Sequence, residues 1–377
     1  MLSAQACAAL VLPTASLLLW MTAATAPSYA QHGEQKAEGA AARQLPFSAF
    51  AQQRGVEASA LARELGLPPA LDLSRPLGEV MDQHGLQPQA LQAAVARLNP
   101  VAAEAASKDW RRIRLKFGLW VVFFLAAMVL LTRVRITLAL RVSLLALASL
   151  VFGVWLGVEP NAPGTIKDGL VLYGESGVIF PPRLLAFVGF MLMTIIGNKV
   201  FCGWGCQFGT LQDLVSHVPV PRWKPPFWLS NAVRATTFAA IAGCALLIPL
   251  DILEPVDPFR VFRLGAPLAV GVAVGMLIAG LFVYRPWCTF FCPFGLVSWL
   301  SERLALARVR INHDTCIHCK ACERACPTHS MAGLRARRPF AQDCFACGAC
   351  LRTCPVGALR WGLRPPAPVP GEESPRR

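Results

Sequence analysis

Near its C-terminus the chain carries two stretches of closely spaced cysteines, CIHCKACERACP at residues 316–327 and CFACGACLRTCP at residues 344–355. In each stretch two residues separate the first three cysteines, and a fourth cysteine follows after three residues, directly before a proline. Zinc sites use two separated pairs of ligands, and cysteines three residues apart do not form sensible disulfides. The spacing is instead the one at which thiolates bind iron–sulfur clusters.

The fourth cysteine of each stretch indicates how two clusters would share ligands. Three close thiolates bind one four-iron cube and the distant fourth thiolate reaches the other cube, so the ligand sets cross. We therefore predict two 4Fe–4S clusters, the first held by Cys316, Cys319, Cys322 and Cys354, the second by Cys344, Cys347, Cys350 and Cys326. Residues 308–312 and 358–362 are expected to pair as strands, which predicts an α+β two-cluster ferredoxin domain over residues 308–362.

Upstream of this domain the composition is that of a membrane protein. Of 377 residues, 55% are hydrophobic and only 15% are charged, against about 25% charged in a typical globular domain. Apolar runs near the length of about 20 residues that crosses a bilayer lie at about 117–132, 136–157, 184–200, 232–250 and 266–284. We predict a mainly α membrane protein with about five transmembrane helices in a membrane domain over residues 113–300.

The first 30 residues have the features of a signal peptide. An apolar stretch from Ala6 to Ala26 precedes Ser28 and Ala30, which are small residues at the positions that signal peptidase recognises. Cleavage after Ala30 and retention as a membrane anchor are the alternatives, and both send the next segment outward. Glycines and prolines divide residues 31–112 into short amphipathic helices, which predicts a small α-helical periplasmic domain.

Charged residues beside the predicted spans indicate the orientation of the chain. Most Lys and Arg residues fall on one side, as the positive-inside rule requires, and the ferredoxin domain is then cytoplasmic. The basic run at 108–116 falls on the other side, where lipid head groups or an acidic partner are the candidate contacts. We predict a multi-pass protein of a bacterial inner (plasma) membrane that contacts lipid directly and ends in a disordered tail at 363–377.

A second cysteine pattern is an internal repeat. The stretches FCGWGCQFG at 201–209 and WCTFFCPFG at 287–295 share the pattern aromatic-Cys-x3-Cys-x-Phe-Gly, and each follows the inner end of a predicted span. The sequence therefore predicts four thiols in one plane at the cytoplasmic face, those of Cys202, Cys206, Cys288 and Cys292. They are candidate ligands of a third iron–sulfur or other metal site, with two redox thiol pairs or four merely packed thiols as the alternatives.

Other cofactors and nucleic acid are not expected. The sequence has no Cys-x-x-Cys-His motif and no histidine within a predicted span, which disfavours haem. It also has no glycine-rich phosphate loop, which argues against a bound nucleotide. The basic residues lie beside apolar runs and in the cysteine-rich region rather than in stripes with interleaved aromatic residues, so nucleic-acid binding is not predicted.

In its paired Cys-x3-Cys motifs followed by a two-cluster unit, the chain resembles the membrane polyferredoxins of the NapH and NosR type. The resemblance covers about residues 117–362, although the first motif has Gln207 where the family usually has proline. It implies an electron-transfer component without catalytic residues of its own, which relays electrons between the cytoplasm or the quinol pool and a periplasmic reductase or other redox partner protein. A metal-reducing assembly factor of the copper-reduction type and a redox-sensing regulator are the alternative functions.

Overall fold

The computed structural model describes residues 42–133, 136–263, 266–338 and 342–363. The predicted signal segment and all of the predicted tail except its first residue lie outside them. The elements are α1 (Phe47–Gln53), α2 (Ala58–Glu64), α3 (Leu77–His84), α4 (Pro88–Leu98), α5 (Pro100–Ala106), α6 (Trp110–Arg133), α7 (Leu138–Ala148), α8 (Ala162–Ser176), α9 (Pro181–Gly197), α10 (Gln207–Val215), α11 (Phe227–Leu247), α12 (Pro267–Ala279), α13 (Pro293–Ser301), β1 (Arg308–Ile311), α14 (Ala321–Ala325), α15 (Ser330–Arg335), α16 (Ala349–Thr353) and β2 (Leu359–Gly362).

Helices α1 to α4 enclose a hydrophobic core of their own. Helix α3 begins after Pro76 and is followed by Gly85, whose φ of 62° is the left-handed conformation that glycine adopts without strain. The segment thus consists of short helices, as its glycine and proline pattern predicts. A salt bridge from Glu104 to Arg183 of α9 (2.5 Å) connects the end of this segment to the apolar helices.

Three helices in the described ranges are long and apolar enough to cross a membrane: α6, α11, and α7 together with its π-helical continuation to Trp155. Large apolar side chains point outward from them; Val122 is 64% exposed and Leu247 is 82% exposed, as a lipid-facing surface requires. Two shorter apolar helices, α9 and α12, occupy the places of the other two predicted spans. The count of five spans stays a prediction.

Helix α8 lies between the second and third predicted spans. The Asn161 side chain begins it by accepting a hydrogen bond from the Gly164 N–H (2.7 Å). Farther along, Gly174 packs so closely on α11 that a Cβ atom there would lie 1.9 Å from the Ala245 carbonyl oxygen. Glycines are weak helix formers, so the local sequence gives little sign of a helix that packing stabilises.

After α9 and again after α12 the chain reverses and returns into the bundle. Each reversal contains a π-helical turn, Phe201–Gly205 or Trp287–Phe291, followed by a short helix, α10 or α13. Helix α10 lies along α7, where the Thr210 hydroxyl hydrogen-bonds the Ser149 hydroxyl (2.9 Å). The sequence repeat is therefore also a repeat of backbone structure.

The C-terminal unit contains the predicted pair of strands. Strands β1 and β2 are antiparallel, with Arg308 opposite Gly362 and Ile311 opposite Leu359. Three short helices lie between the strands, and two of them, α14 and α16, lie within the cysteine stretches. The hydrophobic core of this unit is continuous with that of the membrane helices, so the two parts pack on each other directly.

Within the described residues, the basic run at 108–116 makes contacts inside the protein. Lys108 forms a salt bridge with Glu159 (2.6 Å), and Arg112 forms one with Asp109 (3.2 Å). Lys116 is fully buried. Internal pairing thus accounts for Lys108 and Arg112 without the lipid or acidic partner that the sequence analysis considered.

Candidate iron–sulfur centres

Two cavities in the C-terminal unit are each lined by four cysteines. One is lined by Cys316, Cys319, Cys322 and Cys354, the other by Cys326, Cys344, Cys347 and Cys350. The fourth cysteine of each stretch therefore lines the cavity of the other stretch. These groupings coincide with the two crossed ligand sets that the sequence predicts. The first set is Cys316, Cys319, Cys322 and Cys354, and the second set is Cys326, Cys344, Cys347 and Cys350.

The backbone of both stretches bends in the same way around its cavity. His318 and Lys320 have φ values of 55° and 57°, and the equivalent residues Ala346 and Gly348 have φ values of 51° and 72°. Such left-handed positions are uncommon for residues other than glycine and turn the chain sharply. The two stretches are thus structural copies as well as sequence copies.

Backbone amides of the second stretch point toward its sulfur atoms. The N–H groups of Ala346, Ala349 and Leu351 donate to the thiols of Cys344, Cys347 and Cys350, respectively. Donors of this kind stabilise a thiolate, whereas burial raises the pKa of the Cys344 thiol well above its usual value. Binding of metal at such thiols therefore has to displace protons.

The arrangement fits a cluster better than a single ion. No group of three or more His, Cys, Asp or Glu side chains in the described ranges is arranged to hold one metal ion. Four sulfur donors around a cavity, with amides directed at them, are the donor set that a multi-iron cluster requires. The two sites differ in their access to solvent. Cys319 of the first set is exposed. The second stretch is covered by other side chains, since a Cβ atom at Gly348 would lie 3.5 Å from Leu131 and from Ile136.

The four cysteines of the internal repeat form a third group, here called the four-thiol site. Electrostatic interactions connect Cys292 with Cys288, Cys206 and Cys202, so both copies contribute to one site. In each π-helical turn the backbone N–H of the second cysteine donates to the carbonyl oxygen of the aromatic residue five positions earlier. The distance is 2.9 Å from Cys206 to Phe201 and 3.0 Å from Cys292 to Trp287. All four side chains are buried or half-buried.

The glycine that ends each copy of the motif has the same role in both. A Cβ atom at Gly209 would lie 3.0 Å from the Cys202 carbonyl oxygen, and one at Gly295 would lie 3.0 Å from the Cys288 carbonyl oxygen. Only glycine lets the short helix approach the turn this closely without a shift of the backbone. The Phe-Gly end of the repeat thus keeps the two cysteines of a copy close together.

An arginine binds the first cysteine of each copy through its carbonyl oxygen. Arg285 Nη1 donates to the Cys202 carbonyl (2.6 Å), and Arg234 Nη2 donates to the Cys288 carbonyl (2.6 Å). Each arginine also pairs with a buried carboxylate: Arg285 with Asp213 (2.5 Å) and Arg234 with Asp343 (2.8 Å).

A second cation completes each of these pairs. Arg141 also pairs with Asp213, and Lys199 also pairs with Asp343. The sequence analysis did not single out these residues. Arg141 and Arg234 lie inside apolar helices, where an ionisable residue is a signal of function, and this signal could have identified them.

The first copy of the repeat packs against α6 and against the loop before α8. The Trp120 indole N–H donates to the Gly205 carbonyl oxygen (3.0 Å), and the Gln207 amide donates to the Val158 carbonyl oxygen (2.7 Å). Trp120 lies about 20 Å along α6 from Arg133, at a rise of about 1.5 Å per residue. The turn that carries Cys206 therefore packs against the middle of α6, and the expectation of four thiols in one plane at the cytoplasmic face stays a prediction.

The C-terminal unit contacts the four-thiol site through residues 343–346. The Trp204 indole N–H donates to the Ala346 carbonyl oxygen (2.9 Å), and a Cβ atom at Gly203 would lie 2.0 Å from the Phe345 carbonyl oxygen. The rings of Phe345 and Tyr284 are 5.9 Å apart. The segment that begins the second cysteine stretch is thus packed against the first copy of the repeat.

Comparisons with known proteins agree with this arrangement. A family model described as a 4Fe-4S binding domain matches residues 179–226 and again residues 264–312, and each match contains one copy of the repeat. A second model, described as a 4Fe-4S dicluster domain, matches residues 308–355. The chain therefore has the domains of an iron–sulfur protein.

Curated relatives are similar over parts of the chain. The Escherichia coli protein YccM is 28% identical over 43% of this chain and 50% of its own length. The regulatory protein NosR of Pseudomonas aeruginosa is 29% identical over 34% of this chain and 20% of its own. The ferredoxin-type protein NapH of Haemophilus influenzae is 25% identical over 47% of this chain and 67% of its own.

The chain thus spans half or less of the length of YccM and NosR. No solved structure gives a significant match. The two iron–sulfur family models, the apolar helices and these relatives together support a membrane-associated polyferredoxin of the NapH and NosR type.

Proposed function

We propose that the protein is an electron-transfer protein in which three sets of four cysteines hold iron–sulfur clusters in a relay. A bound 4Fe–4S cluster accepts and releases one electron at a time. The first and second sets would hold one cluster each, and the four-thiol site would hold a third. Two matches of a 4Fe-4S binding model to the repeat support the third site.

One observation carries this proposal: the segment that leads into Cys344 packs directly on the turn that carries Cys202 and Cys206. The Trp204 hydrogen bond and the close approach of Gly203 hold the two together. Cys350 of the second set also interacts electrostatically with Cys322 of the first. The three sets therefore follow one another from the exposed Cys319 to the interior of the bundle.

The protein residues around the sets keep water away and hold the sulfur atoms in place. Arg285 and Arg234 fix the two turns through the Cys202 and Cys288 carbonyls. The Glu302 carboxylate accepts the Cys344 N–H (3.1 Å) and thereby holds the start of the second stretch. Burial raises the pKa of Glu302, and the nearby Lys199 ammonium opposes this shift.

We further propose a bacterial inner membrane as the location, with the small helical domain in the periplasm and the cysteine-rich unit in the cytoplasm. Electrons would pass between a cytoplasmic partner or the quinol pool and a periplasmic redox enzyme. The charge pattern and the electron-transfer character of ferredoxin-type relatives support this role.

Metal analysis of anaerobically purified protein tests the proposal. We expect about twelve iron atoms per chain, four for each set. Exchange of both Cys202 and Cys288 for serine should reduce the content to about eight, whereas Cys244→Ser, which alters a cysteine outside the three sets, should leave it unchanged. About eight iron atoms in the unaltered protein would refute the third cluster, and none would refute the proposal as a whole.

A further inference from the structure

The four-thiol site is surrounded by buried charges, and nearly all of them are paired. Arg141 and Arg285 share Asp213. Lys199 and Arg234 similarly share Asp343, and the Glu302 carboxylate lies 3.9 Å from the Lys199 ammonium. A buried charge without a partner is costly, so pairing is the expected state.

Lys116 is the exception. It is fully buried in α6, and no carboxylate of the described residues forms a salt bridge with it. Its ammonium donates to the Gly157 carbonyl (2.7 Å) and lies 4.9 Å from the centre of the Trp120 ring. These contacts orient the ammonium but supply no carboxylate at salt-bridge distance.

The Lys116 ammonium and the side-chain amide of Gln207, the residue after Cys206, both donate to the Val158 carbonyl oxygen, at 3.5 Å and 2.7 Å. The ammonium also interacts electrostatically with the Cys206 thiol and with Glu159. Neutral thiols or a disulfide would give this charge no counter-ion. Four thiolates around a 4Fe–4S core instead carry a net charge of about −2. The buried cations near the site, five against three carboxylates, leave a surplus of two positive charges that suits such an anion.

We propose that Lys116 is a positioning residue for the cluster of the four-thiol site: its charge offsets the charge of the metal-bound thiolates and raises the reduction potential of that centre. This inference rests on the third cluster proposed above. A positive charge in a water-free interior stabilises the reduced, more negative form, because charges interact strongly at low dielectric. Reduction therefore becomes easier with the lysine present.

The effect should be confined to the four-thiol site. Lys116 lies near the Cys206 end of the first turn, whereas the C-terminal unit contacts the same turn at Gly203 and Trp204. The first and second sets lie beyond that second contact. A change at Lys116 should thus alter one centre of three.

Redox titration followed by electron paramagnetic resonance tests the inference. In Lys116→Met we expect a lower midpoint potential for one centre and unchanged potentials for the other two. Lys116→Arg, which keeps the charge, should restore the potential. The control is Arg114→Met, which removes an exposed cation two residues away on the same helix.

Iron content measured on the same samples separates the possible failures. If the unaltered protein holds about twelve iron atoms and Lys116→Met shifts no potential, the role of Lys116 is refuted while the third cluster stands. About eight iron atoms in the unaltered protein would refute both. Loss of iron from all three sets in Lys116→Met would show that the lysine supports the fold, which also refutes its role at one centre.

Discussion

A methyl group at Gly203 should separate the C-terminal unit from the four-thiol site. The added Cβ atom would lie 2.0 Å from the Phe345 carbonyl oxygen and 3.1 Å from its carbonyl carbon. These are backbone atoms, so no change of rotamer relieves the overlap, and the two segments have to move apart by about 1 Å to reach an allowed contact. Gly203→Ala should therefore act on the position of residues 343–346.

The energetic cost follows from two contributions. Overpacking of this kind costs about 1–3 kcal/mol. The shift also weakens the hydrogen bond from the Trp204 indole to Ala346, which contributes about 1 kcal/mol. We expect the free energy of unfolding to fall by about 2–4 kcal/mol. The unfolding temperature should fall by about 2–4 °C for each kcal/mol lost.

Thermal unfolding of the anaerobic protein in detergent, followed by circular dichroism, measures this loss. Gly205→Ala is the matched control, because it lies in the same turn and its Cβ atom would meet only ring atoms of Phe201 and Trp120 at 3.5 Å. We expect the control to unfold near the temperature of the unaltered protein. Equal unfolding temperatures for Gly203→Ala and Gly205→Ala would show that residues 343–346 are not fitted tightly to the turn.

Three further predictions concern ligands and topology. Cys326→Ala should remove the paramagnetic signal of the second cluster and spare the first; loss of the first alone would contradict the crossed ligand sets. Cys202→Ser and Cys288→Ser should each stop electron transfer through the four-thiol site. The double variant should transfer electrons no more slowly than either single variant, because the effects of losing two ligands of one site do not add. Normal transfer in both single variants would show that the four thiols only fill space in the core. Alkaline phosphatase fused at position 100 should be active and at position 365 inactive, and the opposite pattern would overturn the orientation.

Local pattern was enough to predict the parts of the structure that depend on spacing. The cysteine stretches predicted which cysteines line each cavity, because the spacing of the four thiols and the two-fold plan of the unit leave few other pairings. Local pattern also predicted the pair of strands and three helices long and apolar enough to cross a membrane, whereas the count of five spans stays a prediction. The small helices before residue 107 follow from their glycines and prolines.

Features that depend on contacts between distant residues could not be predicted in this way. The π-helical turns return the cysteines into the bundle, and hydrophobic runs carry no information on such a reversal. Asp213 and Asp343 partner arginines that are 72 and 109 residues away, respectively. Lys116 belongs to a run that sequence alone groups with exposed basic residues, although its side chain is buried.

The two halves of the four-thiol site obtain their carboxylates from different parts of the chain. In the first half, Asp213 follows the Cys-x3-Cys motif within α10 and pairs with Arg285. The equivalent residue of the second copy is Trp299, which has no carboxylate. Asp343 of the C-terminal unit provides it instead, by pairing with Arg234.

The C-terminal unit is therefore a structural part of the four-thiol site and does more than pack against it. Without Asp343, Arg234 and Lys199 would lose the carboxylate that they share, and removal of one partner from a buried ion pair costs about 3–5 kcal/mol. Asp343 is directly followed by Cys344, so the same short segment completes the charge balance of one site and begins the ligand set of the next. The relative position of the two sites is thus fixed by a single stretch of backbone, which is the arrangement that short-range electron transfer between them requires.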